Sequence, residues 1–77
     1  MTKSQFVKRL KDLRSNAGIT QAKVQESAGI SQTLYEFYES EKHSSVPTYK
    51  NIIVLANFFG CSIDYLLCQT DNPKRNY

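Results

Sequence analysis

The chain has 77 residues, of which 40% are hydrophobic, and its formal net charge is +3. This length predicts one small domain that can fold alone, and the hydrophobic fraction argues against disorder. No apolar run approaches the roughly 20 residues that cross a bilayer, and the first five residues lack the apolar stretch of a signal peptide. We therefore expect a cytoplasmic protein without a membrane partner.

Few residues could support metal or covalent chemistry. Two cysteines, Cys61 and Cys68, are too few for a disulfide framework, and with His43 they do not form a convincing zinc site. We expect two reduced, partly buried thiols. The sequence has no glycine-rich phosphate loop, carboxylate pair or nucleophile–base set. We therefore expect no enzymatic activity, no metal, no cofactor and no small-molecule ligand.

The basic charge is unevenly distributed along the chain. Residues 1–18 hold five basic residues and one acidic residue, whereas residues 19–41 hold one lysine and four glutamates. Residues 42–60 add two lysines and no acid. The acidic segment therefore lies between two basic segments. Basic segments attract the phosphates of a nucleic-acid backbone. Lys8 and Lys11, in the first helix, could equally form a solvated face.

The first three predicted elements are helices separated by glycine turns. Thr2 or Ser4 caps the first helix, and Gly18 ends it at a C′ position. The second helix covers about residues 21–27 and the third about 32–40, with Gly29 in the turn between them. Helical spacing places these apolar residues on inward faces: Phe6, Leu10, Leu13, Ala17, Val24, Ala28, Ile30, Tyr35 and Tyr38.

Two more helices follow a polar loop. Ser45 and Pro47 are predicted to open the fourth helix, because proline fits a first-turn position, and Gly60 ends it. Its broad apolar face contains Tyr49, Ile52, Ile53, Leu55, Ala56 and Phe59. Ser62 caps a short fifth helix. We place the domain at residues 1–68 and expect residues 69–77 to form a frayed tail.

The second and third helices have the layout of a helix-turn-helix, in which the second of the pair lies in a DNA major groove. Several motifs in order resemble the lambda-repressor-like, Cro-type helix-turn-helix family over about residues 5–68. They are Arg-Leu-Lys-x-Leu-Arg (9–14), Gly-Ile-Thr-Gln (18–21), Ala-Gly-Ile-Ser (28–31), Tyr-Glu (38–39), Pro-Thr-Tyr (47–49), Leu-Ala (55–56) and Phe-Gly-Cys-Ser-Ile-Asp-Tyr-Leu-Leu (59–67). The resemblance implies an all-α, compact five-helix domain of a transcriptional regulator that binds double-stranded DNA as a homodimer.

The resemblance also implies roles for individual residues. Base readout falls to the exposed positions of helix three, Gln32, Thr33, Glu36 and Phe37. Phosphate contacts fall to Gln21, Ser31, Lys42 and His43. The family glutamine at position 21 also braces the base-reading side chain. Arg14 and Glu39 match a buried ion pair with a structural role. Of the readers, Gln32 suits adenine, because a carboxamide can pair with its N6 and N7 atoms.

Three positions depart from the family pattern. Gln25 replaces an alanine and would face Tyr35, where the family has an aliphatic residue; a buried unsatisfied amide there would cost about 1–3 kcal/mol. Glu41 replaces a glycine after helix three and resists a left-handed conformation. Helix three carries Glu36 and Glu39 and no basic residue. Glu36 could accept a hydrogen bond from cytosine N4 or repel phosphates.

These departures leave a second hypothesis, a helix-turn-helix module that binds a protein through Leu34, Phe37 and Tyr35. Steep salt dependence would favour DNA, because phosphate contacts release counterions. For the homodimer, the interface candidates are Val54, Phe58, Tyr65 and Cys68, which add apolar bulk to helices four and five. Phe58 could instead fill the core against helix five.

Overall fold

The computed structural model describes residues 2–74, and all regular elements in that range are α-helices. Their bounds are α1 (Lys3–Ala17), α2 (Gln21–Ala28), α3 (Gln32–Tyr38), α4 (Tyr49–Phe59) and α5 (Ile63–Leu66). The predicted all-α fold of five helices, with a helix-turn-helix at α2 and α3, is confirmed. No helix within residues 2–74 is both long and apolar enough to cross a membrane.

Each helix is preceded by a hydroxyl residue whose side chain accepts a hydrogen bond from an N–H group of the first turn. These N-caps are Thr2, Thr20, Ser31, Thr48 and Ser62. At α1 the cap is reciprocal: Gln5 N–H donates to Thr2 Oγ1 over 3.1 Å, and Thr2 N–H donates to Gln5 Oε1 over 2.9 Å. Two otherwise unsatisfied donors are thereby satisfied, so the choice between Thr2 and Ser4 falls on Thr2.

The turn between α2 and α3 depends on Gly29. Its φ is 71°, in the left-handed region that other residues enter only at a steric cost. Its N–H donates to the Gln25 carbonyl, which closes the last turn of α2. Ile30 follows directly and is buried, so the chain reverses around an apolar side chain before Ser31 starts α3.

One hydrophobic core joins all five helices. Its buried members are Phe6, Leu10, Val24, Ile30, Tyr35, Tyr38, Leu55, Ala56, Cys61 and Leu66. Helix α4 lies centrally, because it packs against α1, α2 and α5. Asn51 Nδ2 donates to the Tyr38 hydroxyl over 3.0 Å and links α4 to α3. The apolar faces predicted for α1, α2 and α3 therefore point inward, except that Ala17, at the end of α1, is exposed.

Two predictions for α4 and one for α3 were wrong in detail. Helix α4 starts at Tyr49 with Thr48 as its cap, so Pro47 precedes the cap instead of occupying the first turn. Tyr49, the first residue of α4, is 80% exposed and not part of the core. Helix α3 ends at Tyr38, two residues earlier than expected, with Glu39 as its C-cap at φ −92°.

Residues 69–74, predicted to belong to a frayed tail, make specific hydrogen bonds. Arg9 donates to the carbonyls of Tyr65 (2.7 Å) and Thr70 (3.1 Å), and its guanidinium lies 3.8 Å from the centre of the Tyr65 ring. Ser62 N–H donates to the Pro73 carbonyl over 3.0 Å. Residues 75–77 lie outside the described residues, and a domain boundary at residue 68 stays a prediction.

The end of α3 is fixed by a buried carboxylate. Glu39 is 4% exposed and accepts two hydrogen bonds from Arg14 of α1, with Nε–Oε2 at 2.8 Å and Nη2–Oε1 at 3.1 Å. Gln21, the first residue of α2, donates its amide to the same Oε1 over 3.1 Å. Arg14 also donates to the Ile19 carbonyl between α1 and α2. One carboxylate therefore joins three helices.

We expect Arg14→Ala to lower the free energy of unfolding by about 3–5 kcal/mol, because it leaves the Glu39 charge buried without its ionic partner. Thermal and urea unfolding followed by circular dichroism would measure the loss. Lys11→Ala is the matched control, since Lys11 is an exposed residue of the same helix, and a change within about 0.5 kcal/mol is expected there. An Arg14→Ala melting temperature equal to that of the unmodified chain would contradict the structural role.

Candidate functional site

Helix α3 separates its side chains into an inner and an outer face. Tyr35 and Tyr38 are buried, and their rings meet edge to face at 6.4 Å. Gln32, Thr33 and Glu36 are exposed. Three neighbouring polar groups therefore project from a helix whose opposite face is anchored in the core, which is the arrangement expected of a recognition helix.

The two ends of this polar row are connected. Gln32 Nε2 donates to Glu36 Oε1 over 3.1 Å, between positions one helical turn apart. A carboxylate only accepts hydrogen bonds, so the amide nitrogen of Gln32 must be the atom that faces Glu36. The Gln32 oxygen and its second N–H remain available for a base edge.

Phe37 is half-buried, and its ring stacks on that of His43. The ring centroids are 3.8 Å apart and the planes differ by 19°. This contact folds the loop after α3 back against the helix. It also means that Phe37 and His43, predicted separately as a base reader and a phosphate contact, form one unit.

The residues predicted to contact DNA phosphates differ in whether their side chains already have a partner within the protein. Lys42 is exposed and has no ion-pair partner within residues 2–74. Ser31 uses its Oγ to accept from Leu34 N–H over 3.2 Å, which leaves its hydroxyl proton to donate. Gln21 directs its amide to Glu39, whereas Gln32 is held by Glu36. Within residues 2–74 it is thus Glu36 that holds the Gln32 side chain, a contact that the family resemblance assigned to Gln21.

Burial around Glu39 is offset by its partners. Burial alone would raise the pKa of the Glu39 carboxyl, but the hydrogen bonds from Arg14 and Gln21, the nearby Tyr35 hydroxyl and the positive charge of Arg14 outweigh it, so the pKa lies below its ordinary value. The same carboxylate raises the pKa of Arg14. Burial, followed by the negative charge of Glu39, raises the pKa of Tyr35. The pair is therefore ionised, and Tyr35 keeps its proton, at neutral pH.

The expected hydrogen bond between the Tyr35 hydroxyl and the Gln25 amide is not formed. The hydroxyl is buried and lies near the Glu39 carboxylate, whose charge it feels, although it makes no hydrogen bond of regular geometry in the described structure. The hydroxyl therefore lies by the Arg14–Glu39 pair and makes no hydrogen bond to the Gln25 amide. Gln25 itself is only half-buried, so its amide is not sealed from water.

Most basic residues of α1 are turned towards internal partners. Lys3 donates to the carbonyls of Phe37 (2.9 Å) and Ser45, Arg9 holds the segment after α5, and Arg14 pairs with Glu39. Lys8 pairs with Asp12 on the surface at 2.7 Å. Lys11 is exposed and has no ion-pair partner within residues 2–74. The positive charge counted in this segment is therefore largely internal.

The apolar surface suggested for protein binding is smaller than expected. Tyr35 is completely buried, so its inclusion in a surface patch was wrong. Leu34 is half-buried and packs against the core, and Phe37 lies against His43. A patch of these three side chains is therefore absent from the described surface.

The four dimer-interface candidates are all half-buried. Val54, Phe58 and Tyr65 pack against the core, and the Phe58 ring meets Phe59 edge to face at 5.0 Å. The Cys68 thiol donates to the Gln5 carbonyl over 3.5 Å. Each candidate divides its surface between the interior and the solvent, so this geometry accommodates both the interface and the core hypothesis.

Sequence reasoning missed Lys3 and Ser4. Both reach the end of α3 or the loop after it: Lys3 donates to the Phe37 carbonyl in α3 and to the Ser45 carbonyl in the loop, and Ser4 Oγ donates to Glu41 Oε1. Partners 34 to 42 residues away leave no periodic signal in the sequence. The one available sign was the glycine replaced by Glu41, which implied that the end of α3 needs another stabilising group.

Comparison with known proteins agrees with this fold. Residues 7–72 match a family model described as a helix-turn-helix domain. The chain is 34% identical over 68 residues to a protein of Bacillus subtilis (strain 168) named uncharacterized HTH-type transcriptional regulator YobD, a match that spans 88% of this chain and 59% of that protein. It is 35% identical over 69 residues to the similarly named YqaE of the same strain, spanning 90% of this chain and 58% of that protein.

The chain thus spans about three-fifths of the length of these curated relatives. A search of solved structures found no significant match. The family match extends from α1 past α5 and includes the capped turn between α2 and α3. This chain therefore belongs to the helix-turn-helix domain family.

Proposed function

We propose that the chain is a sequence-specific, DNA-binding transcriptional regulator whose helix α3 lies in the major groove. The observation that carries this proposal is the exposed row of Gln32, Thr33 and Glu36 on a helix anchored by two buried tyrosines. Both relatives named above are called transcriptional regulators. Selection of bound sequences from a random pool of duplex DNA tests the proposal, and enrichment of one motif is expected.

A protein reads DNA sequence through its contacts with base edges, whereas contacts with the phosphates supply most of the affinity. Gln32 offers an oxygen and an N–H for adenine N6 and N7, and Thr33 offers a hydroxyl and a methyl group. Glu36 holds Gln32 by a hydrogen bond and can accept from cytosine N4. Because α3 carries no positive charge, attraction to the backbone must come from its flanks, and Lys42 is the nearest exposed lysine along the chain.

The proposed mode of action is repression through two copies on a pseudo-palindromic operator. Two recognition helices must lie about 34 Å apart to enter successive major grooves on one side of the duplex. The half-buried Val54, Phe58, Tyr65 and Cys68 are the proposed contact surface between copies. A dimer from so small a surface would be weak, and DNA would strengthen it by mass action.

Binding of a protein through Leu34 and Phe37 is the alternative class of function. The core contact of Leu34 and the stacking of Phe37 on His43 reduce the apolar area available for it. Salt dependence separates the two functions, since affinity for DNA falls steeply with salt whereas an apolar protein contact changes little.

Gln32→Ala should weaken binding to the selected operator by about 1–3 kcal/mol and relax the preference at one base pair. The loss arises because the variant removes the only carboxamide of α3. Fluorescence anisotropy with the operator and its single-base variants would measure both effects. Thr33→Ala is the neighbouring control and should change the preference at a different base pair. Equal weakening of Gln32→Ala on all sequences would exclude Gln32 as a base reader.

Lys42→Ala should weaken specific and non-specific DNA alike and reduce the salt slope by about one counterion. The expectation follows from its exposed, unpaired side chain in the loop after α3. Affinity measured at several salt concentrations gives the slope. Lys23→Ala removes the same charge from the exposed surface of α2 and serves as the control for net charge. A slope unchanged by Lys42→Ala would show that Lys42 does not touch a phosphate.

Phe58→Glu should leave a folded monomer that binds the full operator much more weakly but binds a single half-site like the unmodified chain. A charge on the contact surface separates the copies without touching α3. Analytical ultracentrifugation with full-site and half-site DNA distinguishes the two effects, with circular dichroism as the test of folding. Unfolding would assign Phe58 to the core, and paired binding by a folded variant would place the interface elsewhere.

A further inference from the structure

We propose that Lys3 and Ser4 form a clamp that positions residues 37–45, the end of α3 and the loop after it, and that Lys3 is thereby a positioning residue for the DNA contact made by Lys42. This inference rests on the proposed function and adds a residue to its binding machinery. We call the pair the N-terminal clamp. It makes three hydrogen bonds, one to Phe37 in the last turn of α3 and two to the segment between α3 and α4.

The clamp closes the loop at both ends. The Lys3 ammonium donates to the Phe37 carbonyl over 2.9 Å and also to the Ser45 carbonyl. One nitrogen therefore holds together two backbone groups that are eight residues apart in sequence. Ser4 Oγ adds a bond to Glu41 near the middle of the loop. Lys42 lies next to this third contact, inside the closed segment.

The clamp also completes the end of α3. No residue in the loop has a left-handed backbone, because in residues 2–74 only Cys68 and three glycines have positive φ. The glycine cap that ends α1 and α2 is therefore missing at α3. The last carbonyls of a helix need other donors; the Phe37 carbonyl receives Ser40 N–H at 3.2 Å and the Lys3 ammonium. A cation at this end also suits the helix dipole.

The position of Lys3 argues against a direct phosphate contact. Its ammonium is committed to two carbonyls, and burial lowers its pKa. Lys42, in contrast, is exposed. A positioning residue should therefore change affinity without changing the number of phosphates neutralised. An affinity loss is expected because only the fraction of molecules with a correctly placed loop binds well.

The stacked rings of Phe37 and His43 provide a reporter of the loop that needs no DNA. A ring stacked at 3.8 Å shifts the carbon-bound proton resonances of its neighbour. In the free 77-residue chain, Lys3→Met should move the His43 ring resonances towards their unstacked positions and speed hydrogen exchange in residues 37–45. Lys11→Met, which removes the same charge from the exposed face of α1, should change neither. Unchanged His43 resonances in Lys3→Met would overturn the clamp.

Binding to the selected operator is the second measurement. Lys3→Met should bind about five- to tenfold more weakly than Lys11→Met, with an equal salt slope. In a Lys42→Ala background the loss should shrink to about twofold or less, since coupled residues are not additive. A full additive loss, or a salt slope reduced by about one, would make Lys3 an independent contact and overturn the positioning role.

Two further variants keep the outcome interpretable. Lys3→Arg retains a cation with several donors, and it should restore both the His43 resonances and the affinity. If Lys3→Met does not fold, Ser4→Ala, which removes only the bond to Glu41, should shift residues 37–45 in the same direction; no shift there would overturn the clamp. Failure of the unmodified chain to bind any DNA would refute the proposed function alone, because the His43 resonances test the clamp without DNA.

Discussion

The buried carboxylate of Glu39 sets the geometry on which the candidate site depends. A charge that is 4% exposed is tolerable only if it is paired and hydrogen-bonded. Arg14 from α1 and Gln21 from α2 supply those bonds, and the Tyr35 hydroxyl lies close by. Since breaking such a set costs more than most single contacts, α3 has one stable orientation relative to α1 and α2. The exposed face of α3 is presented in that orientation.

Helix α1 supports α3 at a second point through Lys3. Lys3 and Arg14 are eleven residues apart, or about 16 Å along a helix, and both direct cations at the C-terminal part of α3 and the residue after it. A rigid helix spans the two contacts, so α1 braces α3, the proposed recognition helix. Two basic residues of α1, Lys3 and Arg14, thus hold the proposed DNA-binding helix in place from its inner side.

The departures from the family pattern are explained by these same contacts. Tyr35 is larger than the aliphatic residue of the family, and its hydroxyl lies beside the Arg14–Glu39 pair. Glu41 replaces a glycine and does not adopt its conformation; instead it accepts a hydrogen bond from Ser4. At both positions the family residue is replaced by a larger side chain that contacts a residue of α1 or lies beside the Arg14–Glu39 pair. Glu36, the one glutamate within α3, likewise has a partner, because it accepts a hydrogen bond from Gln32.

The sequence by itself determined where the helices lie and which faces are buried. Hydroxyl caps, three glycines and apolar spacing are local signals, because they act within a few residues of the backbone they organise. Family resemblance added the Arg14–Glu39 pair. Only the tertiary structure decided the partners of Lys3, Arg9 and Gln21, and the exposure of Tyr49. Long polar side chains take whichever acceptors the packed helices bring within reach, and that distance is a property of the assembled fold.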